Sequence, residues 1–262
     1  MTASKDILVA RGLDFSYRPG RPVLHAVDLT AAPGKLLCVL GPNGSGKTSL
    51  LRCLLGRLKP SAGTIRLAER ELGAYKPRAL ARKLAYVPQF ATSAFAFTVQ
   101  ELVMMGRFAH AGVLGLAGKS DLAVAHEAMR MTETLAFASR SLEELSGGES
   151  QCVMIARALA QQPSVMLLDE PTSHLDIRNQ LKIYRMMQRL AHEWRMAVVC
   201  VSHDVNLAGR FADELALMRE GRLVAAGPPK QIMCEEVLRK AYDVEIDLID
   251  IEGRDVPIVW AR

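Results

Sequence analysis

Hydrophobic residues occur along this chain in short continuous runs separated by longer stretches with helical spacing. The runs at 36–40, 165–168 and 196–201 are apolar throughout, which is typical of strands buried on both faces of a parallel sheet. Stretches 147–160 and 177–194 predict helices. The alternation of buried strands with helices predicts an α/β fold around a parallel core sheet.

The N-terminal part of the chain has a different pattern. Residues 7–17 and 22–30 alternate loosely between apolar and polar side chains and are separated by a turn at 18–20. We therefore expect an N-terminal antiparallel β layer ahead of the parallel sheet. Residues 64–67 and 84–87 are predicted as further short strands.

Residues 91–162 predict an all-helical subdomain inserted into the α/β chain. Stretches 98–108 and 120–138 look helical, and Ser120 is a suitable N-cap for the second, with Asp121 in its first turn.

The last fifty residues predict a hairpin at 213–226 and a helical tail at 228–242. Residues 243–262 alternate as two strands around Gly253, and no role is assigned to this extension.

Composition narrows the class of protein. No run approaches the roughly 18 apolar residues of a membrane-spanning helix, and no apolar segment of a secretory signal follows the N-terminus. The five cysteines are odd in number and lack C-x-x-C spacing, which predicts reduced residues of a cytosolic protein. The net charge of +5 comes from dispersed Lys and Arg residues without an RNA-binding aromatic signature, so we expect no nucleic-acid partner.

The stretch 41–48 matches the phosphate-loop pattern G-x-x-x-x-G-K-[ST] at every fixed position and lies between a predicted strand and a predicted helix. Its glycines let backbone N–H groups turn around a phosphate chain, and the helix N-terminus adds partial positive charge. Lys47 would reach the β- and γ-phosphates of a nucleotide, and Thr48 would ligate Mg²⁺. The predicted nucleotide-binding residues are Gly41, Pro42, Asn43, Gly44, Ser45, Gly46, Lys47, Thr48 and Ser49.

Two adjacent carboxylates, Asp169 and Glu170, end the apolar run 165–168. Carboxylates at the end of a buried strand are costly unless a cation or a polar ligand meets them. With a phosphate loop upstream, they predict the acidic half of a nucleotide-hydrolysing site. Asp169 would hold Mg²⁺, and Glu170 would act as the general base towards the attacking water.

Gln89 and His203 also follow predicted strands, so we expect both at the sheet edge that carries Asp169. Alone, Gln89 would be a surface glutamine and His203 could be structural. Their shared edge favours contacts with a ligand, for His203 with a γ-phosphate. Tyr17 could stack on an adenine ring, although its residue type alone favours a half-buried strand tyrosine.

Ser146 and Glu149 form a capping-box pattern at the predicted start of helix 147–160. By itself this pattern indicates a well-capped helix start. Because Gly147 and Gly148 also expose backbone N–H groups there, the stretch is a second potential anion site.

In their order along the chain, these sites resemble the ATP-binding subunit of an ABC transporter. The resemblance covers about residues 7–242; we expect the domain to span 6–242, and 243–262 to be an extension. A phosphate loop alone fits many unrelated proteins, whereas the ordered set is specific. By this resemblance, the signature motif is Ser146, Gly147, Gly148 and Glu149, and the acidic strand ends in Asp169 and Glu170. Four single positions also match: Gln89 is the loop glutamine, Asp176 belongs to the dimer-interface loop, His203 is the switch histidine, and Tyr17 is the adenine-stacking aromatic. The resemblance assigns Mg²⁺ binding to Thr48, Gln89 and Asp169.

The resemblance implies a head-to-tail homodimer with ATP between the phosphate loop of one copy and Ser146, Gly147 and Gly148 of the other. Dimer closure would move integral membrane permease subunits that dock on the helical subdomain and the Gln89 loop. The chain would lie peripherally on the cytoplasmic face of the membrane, and a substrate-binding protein would act through the permease.

The stretch 98–107 resembles a narrower group, the ATPases of importers for ferric siderophores, haem, vitamin B12 and related metal chelates. Molybdate or tungstate importers share much of it. The signature departs from the family pattern in Glu149, where glutamine is common, and in residues 150–152, which lack the usual arginines; we expect activity to survive.

Two other classes remain open alternatives. A soluble ABC ATPase acting on nucleic acid or ribosomes is less consistent with one cassette and a short insertion, and a regulator without turnover is less consistent with Glu170 and His203. An exporter subunit is the nearest alternative within transport.

Overall fold

The computed structural model describes residues 8–89, 97–111, 118–253 and 255–261, so the predicted start of the helical subdomain at 91 lies outside them. The strands of these residues are β1 (Leu8–Arg18), β2 (Arg21–Ala31), β3 (Leu36–Leu40), β4 (Ala62–Leu67), β5 (Arg70–Glu71), β6 (Leu84–Val87), β7 (Val165–Asp169), β8 (Ala197–Val201), β9 (Glu214–Arg219), β10 (Arg222–Gly227), β11 (Ile246–Ile249) and β12 (Ile258–Ala261). The α-helices are α1 (Lys47–Leu54), α2 (Pro77–Ala81), α3 (Val99–Met104), α4 (Lys119–Met131), α5 (Gly147–Ala160), α6 (Ile177–His192), α7 (Val205–Phe211), α8 (Pro229–Ile232) and α9 (Glu235–Tyr242).

The strands form two main sheets, and the predicted fold class is confirmed. An antiparallel sheet has the order β2-β1-β4-β5. The core sheet has the order β10-β9-β3-β8-β7-β6, and its pairs from β9 to β6 are parallel. The carboxyl ends of β3, β6, β7 and β8 therefore meet at one edge, where ligands bind in open α/β sheets.

The parallel strands separate two apolar cores because successive side chains of a strand point to opposite faces. Leu37 and Val39 of β3 pack with α1 and the antiparallel sheet. Leu36, Cys38 and Leu40 pack on the other face, among residues of α5 and α6. Each fully buried side chain of this size stabilises the fold by about 1.5–3 kcal/mol, so β3 holds the following loop firmly.

Helix ends account for most differences from the predicted elements. The predicted helix 120–138 is α4 followed by a 3₁₀ turn at Leu135–Phe137, because Glu133 has a left-handed backbone (φ 58°). Ser120 as N-cap is wrong: the N-cap is Gly118, whose N–H donates to Asp121 Oδ2 at 3.0 Å. Helix α6 ends at His192 rather than at 194, and the predicted tail helix is two helices, α8 and α9.

Helices α3, α4 and α5 pack together, and the buried side chain of Arg107 joins the segment after α3 to the other two helices. Arg107 donates from Nε to Asp121 Oδ1 at 2.9 Å and from Nη1 to the Ala160 carbonyl at 2.7 Å. The second bond satisfies a carbonyl at the end of α5 that the helix leaves without a partner. This network was not predicted from the sequence.

The C-terminal extension forms the predicted pair of strands, with β11 antiparallel to β12. Asn206 of α7 holds it through two hydrogen bonds to the Val259 backbone, at 2.8 and 3.1 Å. No helix within the described residues is long and apolar enough to cross a membrane.

Candidate functional site

The phosphate loop joins β3 to α1 and needs glycine at two positions for steric reasons. Gly41 and Gly46 have φ values of 144° and 99°, a region that L side chains rarely adopt. A Cβ atom on Gly41 would overlap the Met218 carbonyl and lie 3.0 Å from Ser45 Oγ. The loop is thus folded tightly against β9.

Lys47 lies inside this loop, where Nζ donates to the carbonyls of Gly41 at 2.7 Å and Pro42 at 2.9 Å. Burial lowers the pKa of Lys47, and the charges of Glu170 and Asp169 oppose that shift. Ser45 Oγ is buried and has no hydrogen-bond partner among the described residues. A buried donor without a partner and a held ammonium group fit a phosphate chain, because both gain a charge-assisted partner from it.

Asp169 and Glu170 stand at the carboxyl end of β7, as predicted. Asp169 is buried, and burial together with the Glu170 charge raises its pKa. The Tyr86 hydroxyl donates to Asp169 Oδ2 at 3.4 Å. A buried carboxylate beside a second one suits a divalent cation, which would offset both desolvation and repulsion.

Gln89 and His203 meet at Glu170. His203 Nε2 donates to Glu170 Oε1 at 2.5 Å, and Gln89 Nε2 donates to Glu170 Oε2 at 3.0 Å. The register of β6, β7 and β8 brings these side chains together, because each follows its strand at the same edge. Both oxygens of the Glu170 carboxylate are thus held in place.

A cavity of about 280 Å³ opens between these groups. Its walls are residues 43–49, Glu170 and His203, together with Val23, which was not identified from the sequence. Tyr17 is 54% exposed, and its hydroxyl lies 3.2 Å from Ser49 Oγ at the end of the loop. The ring is therefore partly exposed beside the loop, and adenine stacking needs such exposure.

The signature stretch has the predicted capping box. Glu149 accepts hydrogen bonds from Ser146 N at 2.8 Å and Ser146 Oγ at 2.7 Å, and these bonds lower the pKa of Glu149. Next to it, Gln151 Nε2 donates to the Pro88 carbonyl at 3.3 Å, which links α5 to the residue before Gln89.

Ser146 does not line the cavity at the phosphate loop. With Glu149 and Asp176 it lines a separate groove of about 630 Å³. Asp176 is the N-cap of α6, where its Oδ1 accepts from Asn179 N at 2.7 Å. The structure thus brings the predicted residues together in two groups rather than one.

A family profile described as ABC transporter matches residues 24–173, which is more than half of the chain. The chain belongs to the ABC transporter family. Its similarity to a hemin import ATP-binding protein of Rhizobium meliloti (strain 1021) is 38% identity over 258 residues, covering 95% of this chain and 97% of the relative. A cobalamin import ATP-binding protein of Halobacterium salinarum (strain ATCC 29341 / DSM 671 / R1) is 40% identical, over 90% of this chain and 58% of that longer protein.

Solved structures agree with this family. A structure described as an inward-facing, metal-chelate type ABC transporter has a TM-score of 0.85 at 29% identity and covers 98% of both chains. The dimeric ATP-binding cassette MJ0796, bound to ADP and Pi, has a TM-score of 0.74 at 28% identity, over 85% of this chain and 98% of that one. This ABC transporter chain is an ATPase that binds ATP.

Proposed function

We propose that this ATPase powers the import of a metal chelate (a ferric siderophore, haem or a cobalamin-like compound) through a membrane permease. The observation that carries the proposal is similarity over nearly the whole chain to a hemin import ATP-binding protein. A cobalamin import relative and a metal-chelate type transporter structure support the same substrate class. A molybdate or tungstate importer is the second candidate, because the stretch 98–107 suits both groups.

Residues of one chain bind the nucleotide and its metal. Lys47 and the N–H groups of the phosphate loop hold the phosphates, and Tyr17 stacks on the adenine. Thr48, Gln89 and Asp169 would hold Mg²⁺, which would supply positive charge to neutralise the phosphate oxygens. The raised pKa of Asp169 supports these roles, as does the Ser45 hydroxyl, which has no hydrogen-bond partner in the described part of the chain.

Glu170 is the general base of the reaction. Its carboxylate lines the cavity at the loop, so it can accept a proton from a water that lies between it and the γ-phosphate. His203 holds Oε1 and contacts the γ-phosphate, while Gln89 holds Oε2. The positioned base removes the proton as water attacks phosphorus and ADP leaves.

A second copy of the chain completes the site. Ser146 lines a groove apart from its own phosphate loop, and Ser146 and Gly147 are exposed. A head-to-tail dimer brings the N-terminus of α5 to the partner's ATP, where its N–H groups stabilise negative charge. The dimeric cassette MJ0796 supports this arrangement.

The permease docks on the helical subdomain and the Gln89 loop, and a substrate-binding protein delivers the chelate. Gln151 supports this coupling, since it joins α5 to the Pro88 carbonyl beside Gln89. The subunit is thereby peripheral on the cytoplasmic face of the membrane. Neither nucleic acid nor ribosomes take part.

Uptake in the source cell tests the proposal. Cells carrying the wild-type chain or Glu170→Gln are given haem, cobalamin, a ferric siderophore and molybdate in parallel. We expect Glu170→Gln to abolish uptake of at least one chelate and to leave molybdate uptake intact. Loss of molybdate uptake alone would select the second candidate, and unchanged uptake of all four would reject import by this chain.

A further inference from the structure

Asn179, on the first turn of α6, lies between the signature and the Asp176 loop. Its Nδ2 donates to Asp176 Oδ2 at 3.1 Å, and its backbone N–H donates to Asp176 Oδ1 at 2.7 Å. On its other side, the amide occupies the space in front of Gly148. One half-buried side chain therefore contacts both segments.

Gly148 explains why this contact is specific. Its backbone is ordinary α-helix, so its conformation does not require glycine. A Cβ atom there would overlap the Asn179 amide, 2.6 Å from Oδ1 and 2.8 Å from Nδ2, whereas one on Gly147 would meet only Leu175 at an ordinary 3.5 Å. The missing side chain of Gly148 thus makes room for Asn179.

The Asp176 loop leads back to the general base of the same chain. Ser173 Oγ donates to the Glu170 carbonyl at 2.9 Å and accepts from Gln89 Nε2 at 3.3 Å. Asp176 therefore lies only a few residues along the chain from Ser173, so a movement of Asp176 can reach the groups that hold Glu170. Hydrogen-bonded and packed contacts of this kind can carry energetic coupling between sites.

We propose that Asn179 is a positioning residue that links Gly148 of the signature to the Asp176 loop. This inference rests on the dimeric function proposed above. ATP held by the partner fixes the position of the start of α5. The Asn179 amide then fixes the position of Asp176, and the Asp176 loop positions the Glu170 side chain of the same chain. The two ATP sites of the dimer are thereby coupled.

Two variants separate coupling from space filling. Asn179→Ala removes the amide, and Asn179→Asp keeps its volume but presents a carboxylate to Asp176 in place of the donor. Lys59→Ala, an exposed lysine that does not line the groove of Ser146 and Asp176, is the control. For the purified full-length proteins, ATPase rate against ATP concentration gives kcat, KM and the Hill coefficient. Thermal unfolding gives Tm, and ATP affinity is measured separately with each variant in the Glu170→Gln background.

We expect a wild-type Hill coefficient approaching about 2 for two coupled sites. Both Asn179 variants should lower kcat about tenfold, the effect of losing one hydrogen bond to a charged group, and bring the Hill coefficient to about 1. Their ATP affinity should stay within about twofold of wild type, because the phosphate loop is intact. Lys59→Ala should match the wild type throughout.

Two results would overturn the inference. Wild-type kcat and Hill coefficient in Asn179→Asp would reduce Asn179 to a space-filling residue. A kcat that falls only with the folded fraction, as Tm reports it, would leave it a purely structural role. A wild-type protein without ATP-dependent dimers would instead reject the proposed dimeric function, so the two failures are distinguishable.

Discussion

The two parts of the chain that we assign to ATP differ in how far folding alone completes them. The phosphate loop is packed against β9, its lysine is buried and bonded to two carbonyls, and its neighbours Glu170 and His203 already touch. The signature is exposed at Ser146 and Gly147 and borders a different groove. The first region is already assembled within one chain, whereas the second is a capped helix start that lies apart from the phosphate loop.

Because of this difference, we expect the two regions to contribute differently to ATP binding and turnover. A preformed loop binds phosphate with little reorganisation, which favours affinity. An exposed helix N-terminus is stable through its capping box and adds its N–H groups only when an anion reaches it. Substitutions in the loop should therefore affect binding or folding, and substitutions at the signature should affect turnover.

The largest expected effect is at Glu170, within the preformed half. Glu170→Gln keeps the shape of the side chain but removes the base, so kcat should fall by about 10²–10⁴-fold. ATP-dependent dimers should persist, as light scattering would detect. Glu193→Gln, an exposed glutamate on the surface, is the control. A Glu170→Gln protein that hydrolyses ATP at the wild-type rate would remove Glu170 from its role.

Lys47 tests whether the preformed half supplies affinity. Lys47→Ala deletes the ammonium group inside the loop, so ATP affinity should fall by about 10²-fold, as for a charged hydrogen bond with its partner left unpaired. Lys59→Ala, an exposed lysine downstream of α1, should bind normally in the same calorimetric titration. If Lys47→Ala binds ATP as wild type does, the loop is not the main source of affinity.

Paired glycine substitutions sharpen the comparison directly. Gly41→Ala meets the Met218 carbonyl and a left-handed backbone, so it should destabilise the protein by about 1–3 kcal/mol in urea unfolding. Gly147→Ala meets only an ordinary contact with Leu175, so stability should hold while turnover falls. Equal loss of stability in both variants would contradict the difference between the two regions.

The smallest expected effect concerns pH at the signature. Hydrogen bonds from Ser146 depress the pKa of Glu149 below its ordinary value of 4.5. A depressed carboxylate pKa stabilises the fold above the ordinary pKa, and that contribution is lost as pH falls through the folded-state value. The Tm difference between wild type and Glu149→Gln should be a few degrees at most at pH 7 and should shrink in acid. A difference that grows in acid would show that the capping box does not depend on the charge.

Local sequence patterns correctly predicted the features that depend on only a few neighbouring residues or on the pairing of adjacent parallel strands. The phosphate loop and the capping box of α5 each lie within a few residues of the chain, and the strand-end residues Gln89, Glu170 and His203 follow from parallel pairing. The N-cap at Ser120 was wrong because Gly118 and Asp121 satisfy that helix end instead.

Contacts between distant segments were not predictable in this way. Val23 reaches the cavity from the antiparallel sheet, and Arg107 reaches the end of α5. Asn179 looks like an ordinary polar helix residue until the fold places it against Gly148. Such contacts depend on how elements pack, and hydrophobic periodicity specifies the faces of elements but not their partners.

Mixing two inactive variants tests most directly whether the halves of each site come from different copies. Lys47→Ala breaks the phosphate loop, and Ser146→Arg blocks the exposed signature; each alone should lack ATPase activity. In a head-to-tail heterodimer, one site carries both defects and the other carries neither. An equal mixture should therefore recover ATPase activity, up to a ceiling of about a quarter of the wild-type rate per subunit, because half of the dimers have one intact site each and lost coupling to the second site can only lower their rate. A mixture as inactive as its components would contradict the account, because both defects would then act within one chain.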